Sequence, residues 1–488
     1  MEGVSAEGGG MSTEAGHASA PAGVTGGRIT KWLVGVAAVV MLAGLLFGYD
    51  QGIIAGALGG IESDFHPSTL VIEIITSWVT LGALAGALVA GTLADKVGRR
   101  RTVILAAVLF TAGAVIEAAA PDSATLTVGR LVVGFGVGVA SVAAPLYASE
   151  MAPTRLRGTF VSMYQLAITI GIFLAYAVTE GLAADHSWRL LLGLSVVPGV
   201  LLLLAMLPLP DSAVWYVKVG RREEAAKALH DVRPDEDVDA NLRSITATLG
   251  EHQASWGEVF STRWRYPLFL GVSLAILQQL TGINAVIYYA NKIFAAAGFE
   301  TPQQQMAATT WSIGAVNVAA TFIAVAFVDR LGRRPLLLWG LVGMGLSLFV
   351  MGSCFYRLAH VTIHSASETN TPSNAAIVLL VAMVVFIGSF AFSLGPVVWT
   401  VINEIYPSTV RGRGVAIATA ANWGAAWLVT QFFLSLTDWI GEVGTFYLFA
   451  AICVLTFAFV WFLLPETKGK TLAEIQQMWV DRAAERET

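Results

Sequence analysis

The sequence predicts an all-α integral membrane protein of twelve transmembrane helices, arranged as two pseudo-symmetric halves of six. Three observations lead there. The 488 residues are 56% hydrophobic and only 13% charged, which leaves too little polar surface for a soluble chain of this size. Twelve apolar runs approach the length of about 20 residues that a helix needs to cross a bilayer. The same turn is also written twice, as Asp95-Lys-Val-Gly-Arg-Arg100 and Asp329-Arg-Leu-Gly-Arg-Arg334.

The duplication reaches further than that turn. Glu150 precedes Arg157-Gly158 by seven residues, and Glu404 precedes Arg411-Gly412 by the same seven. Pro210-Asp-Ser212 and Pro465-Glu-Thr467 close each half. Internal repeats of this kind mark secondary transporters.

Taken in order, residues 1–30 are rich in Gly, Ala, Ser and Thr without periodicity and are expected to form a disordered cytoplasmic tail, with Met11 an alternative start to Met1. The N-terminal half, 31–210, holds apolar runs near 31–57, 71–93, 102–120, 125–147, 158–181 and 188–208. The first is too long for a signal-peptide core and lacks a small-residue cleavage site, so it is expected to stay as a membrane helix. Residues 211–266 mix charge with helical pattern, as in Gly220-Arg-Arg-Glu-Glu-Ala-Ala-Lys-Ala-Leu229, and should form short helices against the cytoplasmic face. The C-terminal half, 267–465, has runs near 267–291, 306–328, 335–356, 375–402, 413–435 and 441–464, followed by a cytoplasmic tail, 466–488. Its one sizeable outer loop, about 357–374, is polar and contains Pro372.

Lysine and arginine set the orientation, because cytoplasmic loops retain them. With both termini in the cytoplasm, all but Arg130, Arg189, Lys292 and Arg357 of the 29 basic residues fall on the inner side. Basic turns facing an anionic inner leaflet, rather than one basic groove, give no footing to nucleic acid. Cys354 and Cys453 lie within apolar runs, which points to packing rather than a disulfide or metal site.

Charges inside the runs are the informative residues, since each costs about 2.5–3.5 kcal/mol on insertion scales. Asp50 lies in the first run, about 10 Å from its outer end, and Arg130 in the fourth, about 8 Å from its outer end, at 1.5 Å per residue. An ion pair at that depth would stabilise both groups, and protonating the carboxylate would dissolve it. That makes a proton switch; a permanent structural salt bridge is the alternative. Glu117, near the outer end of the third run, is expected to be interfacial and without function.

Neutral polar residues gather in the corresponding runs of the second half. Gln278, Gln279 and Asn284 are followed by Tyr288 and Tyr289, with Gly282 placed to loosen the helix. Gly395-Pro396 and Trp399 lie in the tenth run, where Pro396 removes a helical hydrogen bond and permits a bend. Gln165, Asn317, Asn422 and Trp423 lie in the fifth, eighth and eleventh. Amides that donate and accept, beside aromatic faces, suit a neutral polyhydroxylated ligand. Any one of them alone could equally be interhelical glue.

At the inner helix ends, Asp95, Arg99, Arg100, Glu150, Arg157, Asp329, Arg333, Arg334, Glu404 and Arg411 are expected to form a cytoplasmic gating network that latches the two halves together in one state and parts in the other.

With these motifs together, the chain resembles the sugar porters of the major facilitator superfamily, in particular bacterial sugar/proton symporters, over about 31–474. The resemblance is carried by Phe47-Gly-Tyr-Asp50, both Asp-x-x-Gly-Arg-Arg turns, Gln278-Gln279 through Asn284, Gly395-Pro396 with Trp399, the Glu404 and Arg411 pair, and Pro465-Glu-Thr-Lys-Gly469. It implies the major facilitator fold, sugar contacts at Gln165, Gln278, Gln279, Asn284 and Trp399, and further ones at Tyr288, Asn317, Asn422 and Trp423. It also implies proton coupling at Asp50. Ala213-Val214 stand where the family has Pro-Arg, and Asn422 where some symporters have glutamine, which leaves the hydroxyl pattern of the sugar open.

The expected function is therefore proton-coupled uptake of a monosaccharide across the cytoplasmic membrane by alternating access, with protons as the coupling ion, no cofactor or metal, and a monomer as the working unit. A facilitative uniporter with a purely structural Asp50–Arg130 pair is the alternative. A sugar-sensing receptor would need a longer cytoplasmic domain. No nucleophile, metal cluster or phosphate loop supports an enzyme, and scattered contacts rather than charged rings disfavour a channel.

Overall fold

The computed structural model describes residues 30–153, 156–182, 187–250, 255–261, 263–361, 374–406, 409–468, 474–475 and 477–479. The N-terminal tail up to residue 29, most of the expected outer loop and of the C-terminal tail, and the side chains of Arg157 and Asp329 lie outside the described residues. Every element described is helical.

The first half comprises α1 (Lys31–Phe65), α2 (Thr69–Val97), α3 (Arg99–Ala118), α4 (Ser123–Met151), α5 (Arg157–Leu182), and α6 (Trp188–Gly193) with α7 (Val196–Met206). Polar caps fix three of these starts: Thr30 Oγ1 accepts from the Leu33 N–H at 3.1 Å, Asp122 Oδ1 from the Thr125 N–H at 2.7 Å, and Ser187 Oγ from the Leu190 N–H at 3.4 Å. α1 packs on α5, and α4 packs on α2 and α3. Glycines permit that approach: a Cβ at Gly134 or Gly138 would run into the Val79 or Ala83 carbonyl.

Four short helices follow, α8 (Ala213–Lys218), α9 (Arg222–Val232), α10 (Val238–Gly250) and α11 (Trp256–Val259). Arg233 ties this linker to the first half. Its guanidinium donates to the carbonyls of Glu150, Met151 and Ala152 at 2.8, 2.9 and 2.6 Å, satisfying acceptors that the end of α4 leaves open.

The second half runs through α12 (Arg265–Leu280), α13 (Ile283–Tyr288), α14 (Ala290–Ala296), α15 (Pro302–Thr309), a π-helical turn Thr310–Ala315, α16 (Val316–Leu331), α17 (Arg333–Val361), α18 (Asn374–Phe392), α19 (Leu394–Ile405), α20 (Arg411–Gln431) and α21 (Phe433–Leu463). Two of its apolar runs are broken. The seventh breaks at Gly282, which adopts φ +88°. The tenth breaks at Ser393 rather than at Pro396, which sits in the first turn of α19, where a missing N–H leaves no bond unmade.

Eleven described helices, or helix pairs joined end to end, are long and apolar enough to cross a membrane. The twelfth expected span is α20, 21 residues long but carrying Arg411, Arg413, Asn422 and Gln431. Large apolar side chains such as Trp339, Trp439, Val454 and Phe462 stay exposed on the helix surfaces, as a lipid-facing exterior requires.

Candidate functional site

Three of the four basic residues that broke the charge pattern have acidic partners. Arg130 Nη1 donates to Asp50 at 2.7 Å with both side chains buried. Arg189 pairs with Asp64 at 2.6 Å, and Lys292 pairs with Glu62. The last two lie near the C-terminal end of α1, because that helix runs eight residues past the expected boundary at 57.

The Asp50–Arg130 centre is more elaborate than a pair. Arg130 Nε donates to the Ile75 carbonyl at 3.2 Å, which holds the guanidinium against α2. Glu117, expected at the interface, is instead fully buried, with Oε1 3.6 Å from Arg130 Nη1. Its place in the last turn of α3 is covered by α4 and α6, so nearness to the helix end brings no exposure.

Beside this centre lies a network of amides. Asn284 Nδ2 donates to Gln279 Oε1 at 2.8 Å, and Gln279 Nε2 to Asn422 Oδ1 at 3.2 Å. Asn422 Nδ2 donates to Gln278 Oε1 at 2.8 Å and to the Ala275 carbonyl at 3.0 Å. Gln278 Nε2 donates at 2.7 Å to the Leu394 carbonyl, at the break between α18 and α19. Broken helices thus bring side-chain amides and open backbone groups to one buried place.

Gln51 joins the two centres. Its Nε2 donates to Asn284 Oδ1 at 3.2 Å and to the Tyr288 hydroxyl at 3.4 Å, across the boundary between the halves. Gln51 adjoins Asp50 in the sequence but faces another way. One step around a helix turns it about 100° from the acid, so Asp50 meets Arg130 while Gln51 meets α13.

Of the residues expected to contact sugar, the structure brings Gln278, Gln279, Asn284, Tyr288 and Asn422 together. Asn317 is buried on α16, and Gln165 and Trp399 are half-buried on α5 and α19; no hydrogen bond described here links these three to the network. Trp423 is turned away from Asn422 and packs on Phe47 of the first half, with ring centroids 5.2 Å apart.

Other bonds join the halves between Asp50 and the C-terminal end of α1. Tyr176 donates to the Ile287 carbonyl at 2.9 Å, Asn291 to the Ala55 carbonyl at 2.8 Å, and Ser77 to Gln431 at 2.6 Å. Glu73, a buried acid in the second run with no role expected from the sequence, accepts from the Ser435 N–H at 2.6 Å and from its hydroxyl at 2.7 Å. A carboxylate of the first half thereby caps the start of α21. These ties hold the two halves together at the C-terminal end of α1.

At the opposite helix ends the charged motifs bond within each half in this conformation, and no described bond of theirs joins the halves, as in the state where the expected latch is parted. Arg99 donates to Glu150 at 2.8–3.1 Å and pairs with Asp95 at 3.1 Å. Asp211 accepts the Arg99 and Arg100 N–H groups at 2.9 and 3.2 Å. The second half repeats this: Arg333 donates to Glu404 at 2.9–3.2 Å, and Glu466 accepts the Arg333 and Arg334 N–H groups at 3.1 and 3.0 Å. Arg100 and Arg334 reach the carbonyls of Leu207 and Trp461. The reason is local. Gly98 and Gly332, at φ +100° and +93°, turn each motif back on its own half, and the acid of each Pro-Asp-Ser or Pro-Glu-Thr segment caps the helix that starts there. Arg411 donates to the Tyr406 carbonyl at 3.3 Å instead of pairing with Glu404, whose oxygens are held by Arg333 and Thr467.

Two repeated bundles of membrane helices, with broken helices lining a buried polar centre between them, define a membrane transporter rather than an enzyme. The chain belongs to the sugar transporter family: the model for "Sugar (and other) transporter" matches residues 36–479. The galactose-proton symporter of Escherichia coli (strain K12) is 39% identical over 440 residues, covering 89% of this chain and 92% of that protein. The arabinose-proton symporter of the same strain is 38% identical over 453 residues, covering 92% and 93%. Among solved structures, the inward-open conformation of the xylose transporter XylE from E. coli superimposes with a TM-score of 0.76 at 28% identity, covering 92% of this chain and all of that one.

Proposed function

We propose that this protein is a symporter that couples the uptake of a monosaccharide, a hexose or pentose, to proton entry by alternating access. It works as a monomer in the cytoplasmic membrane with both termini inside. The observation that carries this reading is the continuity from Asp50–Arg130 through Gln51 to the amide network. Asp50 and Gln51 are consecutive on α1. Protonating Asp50 weakens its hold on Arg130, and any shift of α1 that follows moves Gln51 against Asn284 and Tyr288. The relatives named as galactose-proton and arabinose-proton symporters support the same reading.

Gln278, Gln279, Asn284 and Asn422 supply donors and acceptors without charge, which suits neutral hydroxyls. Part of their mutual bonding must yield when sugar hydroxyls replace amide partners. No cofactor is needed for this cycle: the proton and the membrane potential drive it.

The uniporter reading draws on one observation, the short and fully buried Asp50–Arg130 contact, which would serve equally as a permanent brace. Adding glucose, galactose, xylose, arabinose or inositol in turn to lightly buffered, de-energised cells separates the two. Symport alkalinises the medium with the transported sugar; uptake of that sugar without alkalinisation would establish the uniporter.

A further inference from the structure

We propose that Glu117 is a second proton-handling residue, holding the coupling proton jointly with Asp50 around the Arg130 guanidinium. This rests on the reading of Asp50 as the coupling acid and extends it. Glu117 is completely buried, and among the described residues neither of its carboxylate oxygens has a hydrogen-bond partner. Its Oε1 lies 3.6 Å from the same Arg130 nitrogen that donates to Asp50 at 2.7 Å. Arg130 Nη2 is likewise buried without a partner. The approach depends on a glycine: a Cβ at Gly129 would lie 2.7 Å from Glu117 Cγ and 3.0 Å from its backbone nitrogen.

Among the described residues, the surroundings offer Glu117 no other charge to answer. Arg130 faces it from α4, with Asp50 on α1 beyond. On α6, Arg189 is turned to Asp64 and the Ala120 carbonyl. On α2, Glu73 is engaged by Ser435. α7 carries no titratable residue.

Charge balance then assigns the role. With Glu117 and Asp50 both ionised around one guanidinium, the buried centre carries a net charge of −1. One proton from solvent on either carboxylate brings it to zero, with Arg130 still paired to the other. A bare Asp50–Arg130 pair would instead pass from zero to +1 on protonation and strand a buried cation. In the conformation described, Asp50 takes the short charge-assisted bond, so Glu117 is the carboxyl that holds the proton. When Asp50 is protonated in turn, Glu117 keeps Arg130 paired. The centre therefore retains its proton at a pH where the pair alone would lose it.

The test is Glu117→Gln in energised vesicles, with sugar accumulation followed against pH and sugar counterflow measured alongside. Accumulation by the variant should fail about 1–3 pH units lower than in the wild type, while counterflow reports that it folds and binds sugar. An alkaline limit unchanged in Glu117→Gln overturns the proposal. Should the variant not reach the membrane, infrared spectra of the wild type with carbon-13-labelled glutamate decide: a carboxylic-acid band that shifts with the label at neutral pH is expected, and no shifted band overturns the proposal. Failure of the underlying symport reading shows elsewhere, as undiminished accumulation by Asp50→Asn whatever Glu117→Gln does.

Discussion

Asp50→Asn isolates charge from shape. The amide keeps an oxygen that can accept from the still-charged Arg130 Nη1, now 2.7 Å from Asp50, so the loss is the Coulombic part of the pair and not the hydrogen bond. Glu117 remains to answer the guanidinium, which holds the expected cost to about 1–3 kcal/mol. Truncation to alanine would be harsher. Leaving one member of a buried pair unmatched costs about 3–5 kcal/mol, relieved only in part by Glu117 at 3.6 Å. The Asp50→Asn variant should therefore fold, bind sugar and exchange it. What it loses is the drive. One proton falling through 100 mV supplies about 2.3 kcal/mol, which at about 1.4 kcal/mol per decade sustains roughly fifty-fold accumulation. With an amide in place of the Asp50 carboxylate no protonation event acts on α1, and Glu117, on α3, has no link to Gln51. Vesicles at a clamped potential with no pH gradient should fall from roughly fifty-fold to no accumulation, with counterflow retained. Accumulation at the wild-type ratio would refute the assignment of Asp50 as the coupling acid.

Two further outcomes are expected. Asn422→Ala removes donations to Gln278 and Ala275 and an acceptance from Gln279, leaving buried amide groups unmatched at about 1–3 kcal/mol each. Sugar affinity in equilibrium binding should fall by about ten-fold or more, and an unchanged affinity would remove Asn422 from the site. Glu73→Gln withdraws the charge that caps α21 from the other half, an interaction of the kind worth about 0.3–2 kcal/mol. The outer closure should loosen, and the thiol introduced by Ser77→Cys should react faster with an outside thiol reagent in that background than in the parent.

Much of the site was legible one residue at a time. Asp50 and Arg130 stood out because charge in an apolar run is costly, and Gln278, Gln279 and Asn284 because they cluster in one run. The residues missed failed for physical reasons. Glu117 was judged by its distance from a helix end, whereas its exposure depends on what packs over that end. Glu73 sits between Ile72 and Ile74 and was open to the same cost argument as Asp50, but only its Ser435 partner shows that it caps a helix. The partners of Arg99 and Arg333 in this conformation lie in the same bundle, and sequence spacing cannot tell such a partner from one in the other.

The sequence alone determined the membrane class, the two-fold repeat and which apolar runs carry a charge, because hydropathy, duplication and the cost of burying charge are properties of residues along a chain. Tertiary structure decided the partnerships. It set Glu117 beside Arg130, turned Gln51 toward Asn284, moved the break in the tenth run to Ser393 and closed each cytoplasmic network within its own half. Those outcomes depend on which helix faces packing brings within hydrogen-bond reach, and burial and hydrogen bonding are settled only there.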